Sequence, residues 1–384
     1  MPVKTIEEIN ERILEGKAVV VTAEEMIDIV EENGAKKAAK MVDVVTTGTF
    51  GAMCSSGAFI NFGHSDPPIR MTRVWLNDVM AYGGIAAVDA YIGATELSES
   101  QGMQYGGAHV IEDFIAGKDI KLYAESYGTD CYPRKSIATT INKNNVNQAF
   151  MFNPRNCYQN YPAGTNSSDR TIYTYMGTLL PEFGNVTYCT SGQLSPLLND
   201  PEYRTIGIGT RVFIGGTHGY VSFQGTQHDP GQVRMPNGTP ASSAGTLALI
   251  GDLKKMSTDF IRAATYEKYG TTLFVGVGIP IPILDEDMAM KTAVSDKDIY
   301  TNIVDKSGKT SFSQAVSYQE LRSGYVTINN KKVPTSPLSS TVKAREIADL
   351  LKTQIKKGEF LLTKSAEGLP TDKKRLNKLE VRGY

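Results

Sequence analysis

The sequence predicts an α/β protein with a mixed or partly parallel sheet and flanking helices. Three observations carry this reading. Helix and strand signals alternate over the first 47 residues. The run "TTLFVGVGIPIPIL" (271–284) is an apolar strand leading into a Pro-punctuated loop. The segment "TVKAREIADLLKTQIKKGEF" (341–360) carries the period of an amphipathic helix.

The elements follow in order. Thr5 and Glu8 form a T-x-x-E capping box, Ile6, Ile9 and Ile13 follow at helical spacing, and Gly16 stops the run. "AVVV" (18–21) reads as a strand. Thr22 and Glu25 repeat the capping box for a helix that ends at Asn33-Gly34, and "VDVVTT" (42–47) is a second buried strand. Residues 48–68, "GTFGAMCSSGAFINFGHSDPP", are dense in small residues and leave the end of that strand, where α/β proteins place sites. Residues 73–92 read as helix or mixed structure, 109–123 as a helix and then a strand, and 137–235 as strands and loops. The clearest long helix is expected over 243–270, with Gly270 as its stop. Residues 305–340 are polar and read as a linker to the C-terminal helix; 363–384 form a polar tail. The organisation expected is one large unit over 1–335, with a candidate sub-domain boundary near 135–150, and a helical extension over 336–384.

Composition narrows the function classes. Apolar residues make up 41% and charged residues 21%, ordinary values for a globular protein with a sizeable core. The formal net charge of −1 argues against nucleic acid or an anionic membrane as the main partner. The opening "MPVKTIEEINERILEG" has acids where a signal peptide has a basic region, and no apolar run reaches the roughly 20 residues needed to span a bilayer. A cytoplasmic protein is expected, so its four cysteines are not read as a disulfide framework. They include no C-x-x-C pair, which argues against a zinc ribbon.

"GIGTRV" (207–212) and "GVGIPI" (276–281) begin like dinucleotide-binding loops but lack the third Gly, and no P-loop is present. Of four histidines, His64 in "NFGHSDPP" and His228 in "GTQHDP" precede acids in Gly/Pro loops, an arrangement that suits a general base or a turn-packing side chain equally. His109 and His218 read as structural.

The thiols are more informative. Cys131, in "YGTDCYPRKS", stands near Arg134 and Lys135, and cationic neighbours favour the reactive thiolate. Cys54, in "MCSSG", follows a strand where consecutive backbone N–H groups can stabilise a thiolate. Cys157 lies beside Arg155 in "NPRNCYQN", and Cys189 near the end of a short strand-like run; burial as a small hydrophobe is the competing reading for each. Two thiols meeting in one pocket would support persulfide or disulfide chemistry. Three of Cys54, Cys131, Cys157 and Cys189 could ligate an iron–sulfur cluster with one iron left open. Arg155 is the candidate clamp for a substrate carboxylate.

At "GAFINFGHSDPPIRM", "YGTDCYPRK" and "FNPRNCYQNY" the sequence resembles the homocysteine-biosynthesis, sulfur-incorporation family, over roughly residues 5–360. The resemblance implies sulfur transfer to L-aspartate semialdehyde in methanogenic archaea and anaerobic bacteria. It implies Cys131 as the persulfide-carrying cysteine, Cys54 as its partner, a sulfide or persulfide donor, and a ferredoxin-like protein as electron donor. Regulation by the paired CBS domains of some members is not implied here. An aldehyde and sulfide reach a thiol only with two electrons, and the absence of a nicotinamide fingerprint fits an external source. His64 is the candidate for proton transfer to the aldehyde oxygen, and a homo-oligomer is expected. Two rival readings stand beside this one: a cluster-dependent sulfurtransferase with sulfide on the open iron, and a non-catalytic protein that binds a sulfur carrier or ferredoxin.

Overall fold

The computed structural model describes residues 4–372 and 376–382. Helix α1 (Ile6–Leu14), strand β1 (Val20–Thr22), helices α2 (Ala23–Asn33) and α3 (Ala35–Met41) and strand β2 (Val44–Thr46) follow in turn. Both capping boxes form: Thr5 with Glu8, and Thr22 with Glu25. Helix α2 ends at Gly34, whose φ of 75° lies in the left-handed region that a side chain disfavours. β1 and β2 pair in parallel, and Pro280–Pro282 adds an antiparallel third strand. The helix Thr341–Lys356 packs on this unit, its Ile347, Leu351 and Ile355 buried with Ile9, Ile13, Val20 and Val44. Each such side chain contributes about 1.5–3 kcal/mol of burial, so the two ends of the described chain are joined through one apolar cluster.

The largest sheet comprises β3 (Thr49–Ala52), β4 (Gly57–Asn61), β5 (Arg73–Leu76), β6 (Val79–Ala86), β7 (Asp89–Gly93), β8 (Ile120–Glu125), β9 (Ser136–Ile141), β10 (Gln148–Asn156), β11 (Arg211–Ile214), β12 (Thr217–Gln224), β13 (Leu247–Asp252), β14 (Ile261–Tyr266) and β15 (Gly270–Gly278), with two short strands at its margin. Its order is β9-β8-β5-β6-β7-β4-β10-β13-β12-β11-β15-β14, and β3 pairs with β15. These pairs are antiparallel. Helix α4 (Gly107–Ile115) buries Val110, Ile111, Phe114 and Ile115 in the main core.

A six-stranded second sheet runs Ser313–Ser317, Tyr300–Asp305, Ala163–Thr165, Val186–Tyr188, Lys331–Pro337, Tyr325–Ile328. Two of its pairings are parallel. It has its own core, including Ile303, Val316, Tyr318, Leu321 and Val333. The fold is thus α/β with mixed sheets, as the sequence predicts.

Three segments differ from the sequence expectation. Residues 73–92 form β5, β6 and β7; Val74, Leu76, Val79 and Ala81 are buried in the alternation of a strand. Residues 243–270 form β13, a short 3₁₀ turn and β14 instead of a long helix. Here β13 finds ladder partners on both sides, β10 and β12, and Leu247 and Leu249 are fully buried. Cross-strand burial outweighs the helical preference of its Ala, Leu and Lys residues. Residues 305–340, read as a linker, supply strands and a short helix to the second sheet, because Val316, Leu321, Val326 and Val333 alternate inward among the polar residues.

Candidate active site

A cavity of about 590 Å³ lies where the two sheets meet. The largest sheet supplies Cys54, Arg155 and Thr271, and the connections of the second sheet supply Tyr161, Tyr175 and Cys189.

Cys54 sits in the tight turn between β3 and β4. The turn closes through the Ser56 amide donating to the Met53 carbonyl at 3.0 Å. A Cβ at Gly57 would lie 2.1 Å from the Tyr91 hydroxyl, so glycine is required for this close approach. The serines after Cys54 fasten the turn to β10. Ser55 Oγ donates to the Arg155 carbonyl at 2.8 Å, and buried Asn153 Nδ2 donates to Ser56 Oγ at 2.9 Å. The "MCSSG" and "NPRNC" stretches thus form one assembly. Cys54 Sγ lies 3.4 Å from Thr272 Oγ1, and the Tyr269 phenol lines the same cavity.

The register of β10 against β13 shifts between Asn153 and Asn156, a bulge of the kind that re-aims side chains. Arg155 Nε donates to Thr226 Oγ1 at 3.1 Å and Nη1 to Gln227 Oε1 at 2.5 Å, leaving Nη2 for a ligand. Cys157 (φ 49°) and Thr190 (φ 72°), which follows Cys189, both hold left-handed conformations. Such non-glycine residues cost on the order of 1–3 kcal/mol each and concentrate at functional sites.

Among the described residues, the lining contains no Asp, Glu or His. Arg155 is its one charged residue, and Lys306 stands behind the Tyr161 and Tyr175 rings, its ammonium 5.7 and 5.3 Å from their centroids. The cavity therefore favours an anionic ligand. Burial pushes the Cys157 thiol well above its ordinary range. Burial also raises the Cys189 thiol, to about 12, against a smaller opposing pull from Lys306. Cys189 is enclosed by protein yet open to the cavity. Both are neutral thiols at pH 7. Burial and the neighbouring Cys54 push the Tyr269 phenol up to about 12.

The other two predicted catalytic residues, Cys131 and His64, lie elsewhere, and Cys131 does not share the cavity of Cys54, its expected partner. Cys131 is exposed, 3.5 Å from Thr129 Oγ1. His64 stacks on Tyr132 at 6.1 Å and is also exposed. Arg134 spends its donors on backbone, with Nε to Pro67 O at 2.9 Å and Nη2 to Asp66 O at 2.8 Å, tying the 126–135 loop to the loop after β4. Neither Cys131 nor His64 lines the cavity. Cys54 precedes β4 and His64 follows it; five residues at about 3.4 Å each hold the strand's ends about 14 Å apart. The structure brings together Cys54, Cys157, Cys189 and Arg155, and separately Cys131 and His64.

The other histidines hold structure. His228 is buried between the Thr246 backbone and the Pro370 carbonyl, His218 contacts Arg211, and His109 accepts from the Gly106 amide. Among the described residues, no group of three or more His, Cys, Asp or Glu side chains is placed to hold a metal ion. The four cysteines as they stand do not form a ready ligand set. The sequence reading missed the tyrosines of the cavity, Tyr158, Tyr161, Tyr175 and Tyr269, and Lys306. The only signal was the density of Tyr after Asn156.

Over residues 18–362 the chain matches the family described as "Homocysteine biosynthesis enzyme, sulfur-incorporation". It is 54% identical over 369 residues to the L-aspartate semialdehyde sulfurtransferase of Methanosarcina acetivorans, covering 95% of this chain and 72% of that protein. It is 56% identical over 387 residues to the L-aspartate semialdehyde sulfurtransferase of Methanocaldococcus jannaschii, covering 96% of this chain and 74% of that protein. No solved structure matches it. With a match of this extent and relatives of this similarity, the chain belongs to the homocysteine-biosynthesis, sulfur-incorporation family.

Proposed function

We propose that the chain is a sulfurtransferase that inserts sulfur into L-aspartate semialdehyde, in the cavity that holds Cys54 and Arg155, to form L-homocysteine. One observation carries the siting: a partly open thiol and a free face of a guanidinium share one enclosed, acid-free cavity. Arg155 takes the substrate carboxylate through Nη2, a charge-assisted hydrogen bond whose guanidinium is held in place by Thr226 and Gln227. Cys54 presents the sulfur, held in place by Thr272 and by the Ser55 and Ser56 fastening to β10.

The net reaction joins the aldehyde, hydrogen sulfide, two electrons and two protons into the thiol and water. A persulfide on Cys54 or hydrosulfide bonds to the aldehyde carbon, and the carbonyl electron pair passes to oxygen and is protonated. Loss of that oxygen as water and a two-electron reduction complete the thiol from hydrosulfide; from the persulfide, a further two electrons and two protons from the same reductant break the S–S bond and return the Cys54 thiol. An external ferredoxin-like protein is the proposed electron source, acting in the cytoplasm. No helix of the described residues is long and apolar enough to cross a membrane.

Cys131 has a different proposed place. Its exposure suits acceptance of sulfur from a macromolecular donor. Direct exchange with Cys54 needs Cα atoms within about 7 Å, so sulfur carried on Cys131 reaches the cavity by movement of the 126–135 loop, from another copy, or as released sulfide.

The test is anaerobic assay of the purified chain with L-aspartate semialdehyde, sulfide and a low-potential reductant. Homocysteine is expected. Its absence with sulfide and with a persulfide donor alike would refute the proposal.

A further inference from the structure

The proposed reaction leaves its proton donor unassigned, because His64 lies at the other end of β4 and the described cavity lining contains no His, Asp or Glu. Its walls are phenolic instead. Lys306 Nζ donates to Tyr175 Oη at 3.0 Å, and Tyr161 Oη donates to the same oxygen at 3.3 Å. Two donors converging on one phenol oxygen occupy its acceptor sites and leave its own O–H to donate. Among the described residues no side chain or carbonyl accepts that proton, and Tyr175 lines the cavity. Its ring lies 6.5 Å, centroid to centroid, from that of Tyr269, which lines the same cavity as Cys54.

Lys306 makes no ion pair with a carboxylate among the described residues. Its neighbour Asp305 is held by Ser167 and Ser307. The ammonium instead faces the Tyr161 and Tyr175 rings. The ammonium is placed to hold, through a charge-assisted hydrogen bond, the oxygen left when the Tyr175 proton is transferred.

We infer that Tyr175 is the general acid that protonates the aldehyde oxygen, and that Lys306 and Tyr161 position it and hold the phenolate it leaves. The inference rests on the reading of the cavity as the aldehyde site. In the step, the sulfur nucleophile forms a C–S bond to the carbonyl carbon and the C=O π pair moves to oxygen. The Tyr175 O–H bond breaks as the new O–H bond forms. The phenolate, held by the ammonium and the Tyr161 hydroxyl, regains a proton from solvent, and no electrons are exchanged with an outside partner.

The test compares the whole chain with Tyr175→Phe, Lys306→Met and Lys306→Arg under saturating sulfide and reductant. Tyr175→Phe keeps the ring against Lys306 and is expected to lower kcat on the order of 10²-fold, with KM for the aldehyde within about threefold. The residual rate should lose the solvent deuterium isotope effect of the wild type. Lys306→Met should lower kcat about tenfold at near-constant KM, and Lys306→Arg should recover most of it. A wild-type rate in Tyr175→Phe, or a loss in KM alone, overturns the role of Tyr175 while the function stands. Wild-type protein that makes no homocysteine overturns both.

Discussion

Two unlike thiols lie off opposite ends of β4, Cys54 in the turn before it and Cys131 in a loop tied to the segment after it. At one end Cys54 lies in a fastened turn that opens into an enclosed cavity with an arginine and four tyrosines. At the other end Cys131 stands exposed on a loop whose arginine is occupied with backbone carbonyls. The contrast teaches that charged sequence neighbours are a poor guide to a thiol's chemistry. Arg134 is close to Cys131 in sequence and serves the fold. Arg155 is about a hundred positions from Cys54 and shares its site.

The largest effect should come from the enclosed end. Cys54→Ala is expected to lower homocysteine formation from a persulfide donor by on the order of 10³-fold or more, as removal of a nucleophile does. Arg155→Ala comes next. Losing a charge-assisted clamp should raise KM for the aldehyde by about 10- to 100-fold with a smaller change in kcat, and Arg155→Lys should recover part of it. Steady-state kinetics with the carboxylate amide of the substrate sharpen this, since that analogue should distinguish the variants little.

A milder contrast is chemical. Alkylation followed by peptide mapping should label Cys131 first and Cys157 last, because one is exposed and the other buried. The raised Cys189 thiol remains protonated through neutral pH, so its labelling should climb about tenfold per pH unit from about 7 to 10. A plateau of Cys189 labelling below about pH 9 would mean that the cavity stabilises its thiolate.

Much of the frame was legible because local rules govern it. Both capping boxes and the amphipathic helix Thr341–Lys356 formed where their patterns placed them. The stretch 243–270 was misread because its Leu, Ala and Lys residues suit a helix, and the ladders to β10 and β12 that override them are invisible locally. The same limit applied to the site. Cys54 and Arg155 stood out by residue type, whereas their meeting depends on β4 pairing with β10. Beyond the density of Tyr after Asn156, nothing marked Tyr175 and Lys306, since they converge only when Ala163–Thr165 pairs with Tyr300–Asp305.

The central claim is that sulfur meets the aldehyde at the Cys54 end and that Cys131 serves only its delivery. It is tested most directly by homocysteine formation in Cys131→Ser with excess free sulfide and reductant, which removes the need for delivery. The account predicts a rate within about threefold of the wild type, with a loss appearing only when sulfur must come from a persulfide donor. A Cys131→Ser protein that is inactive with free sulfide would contradict it.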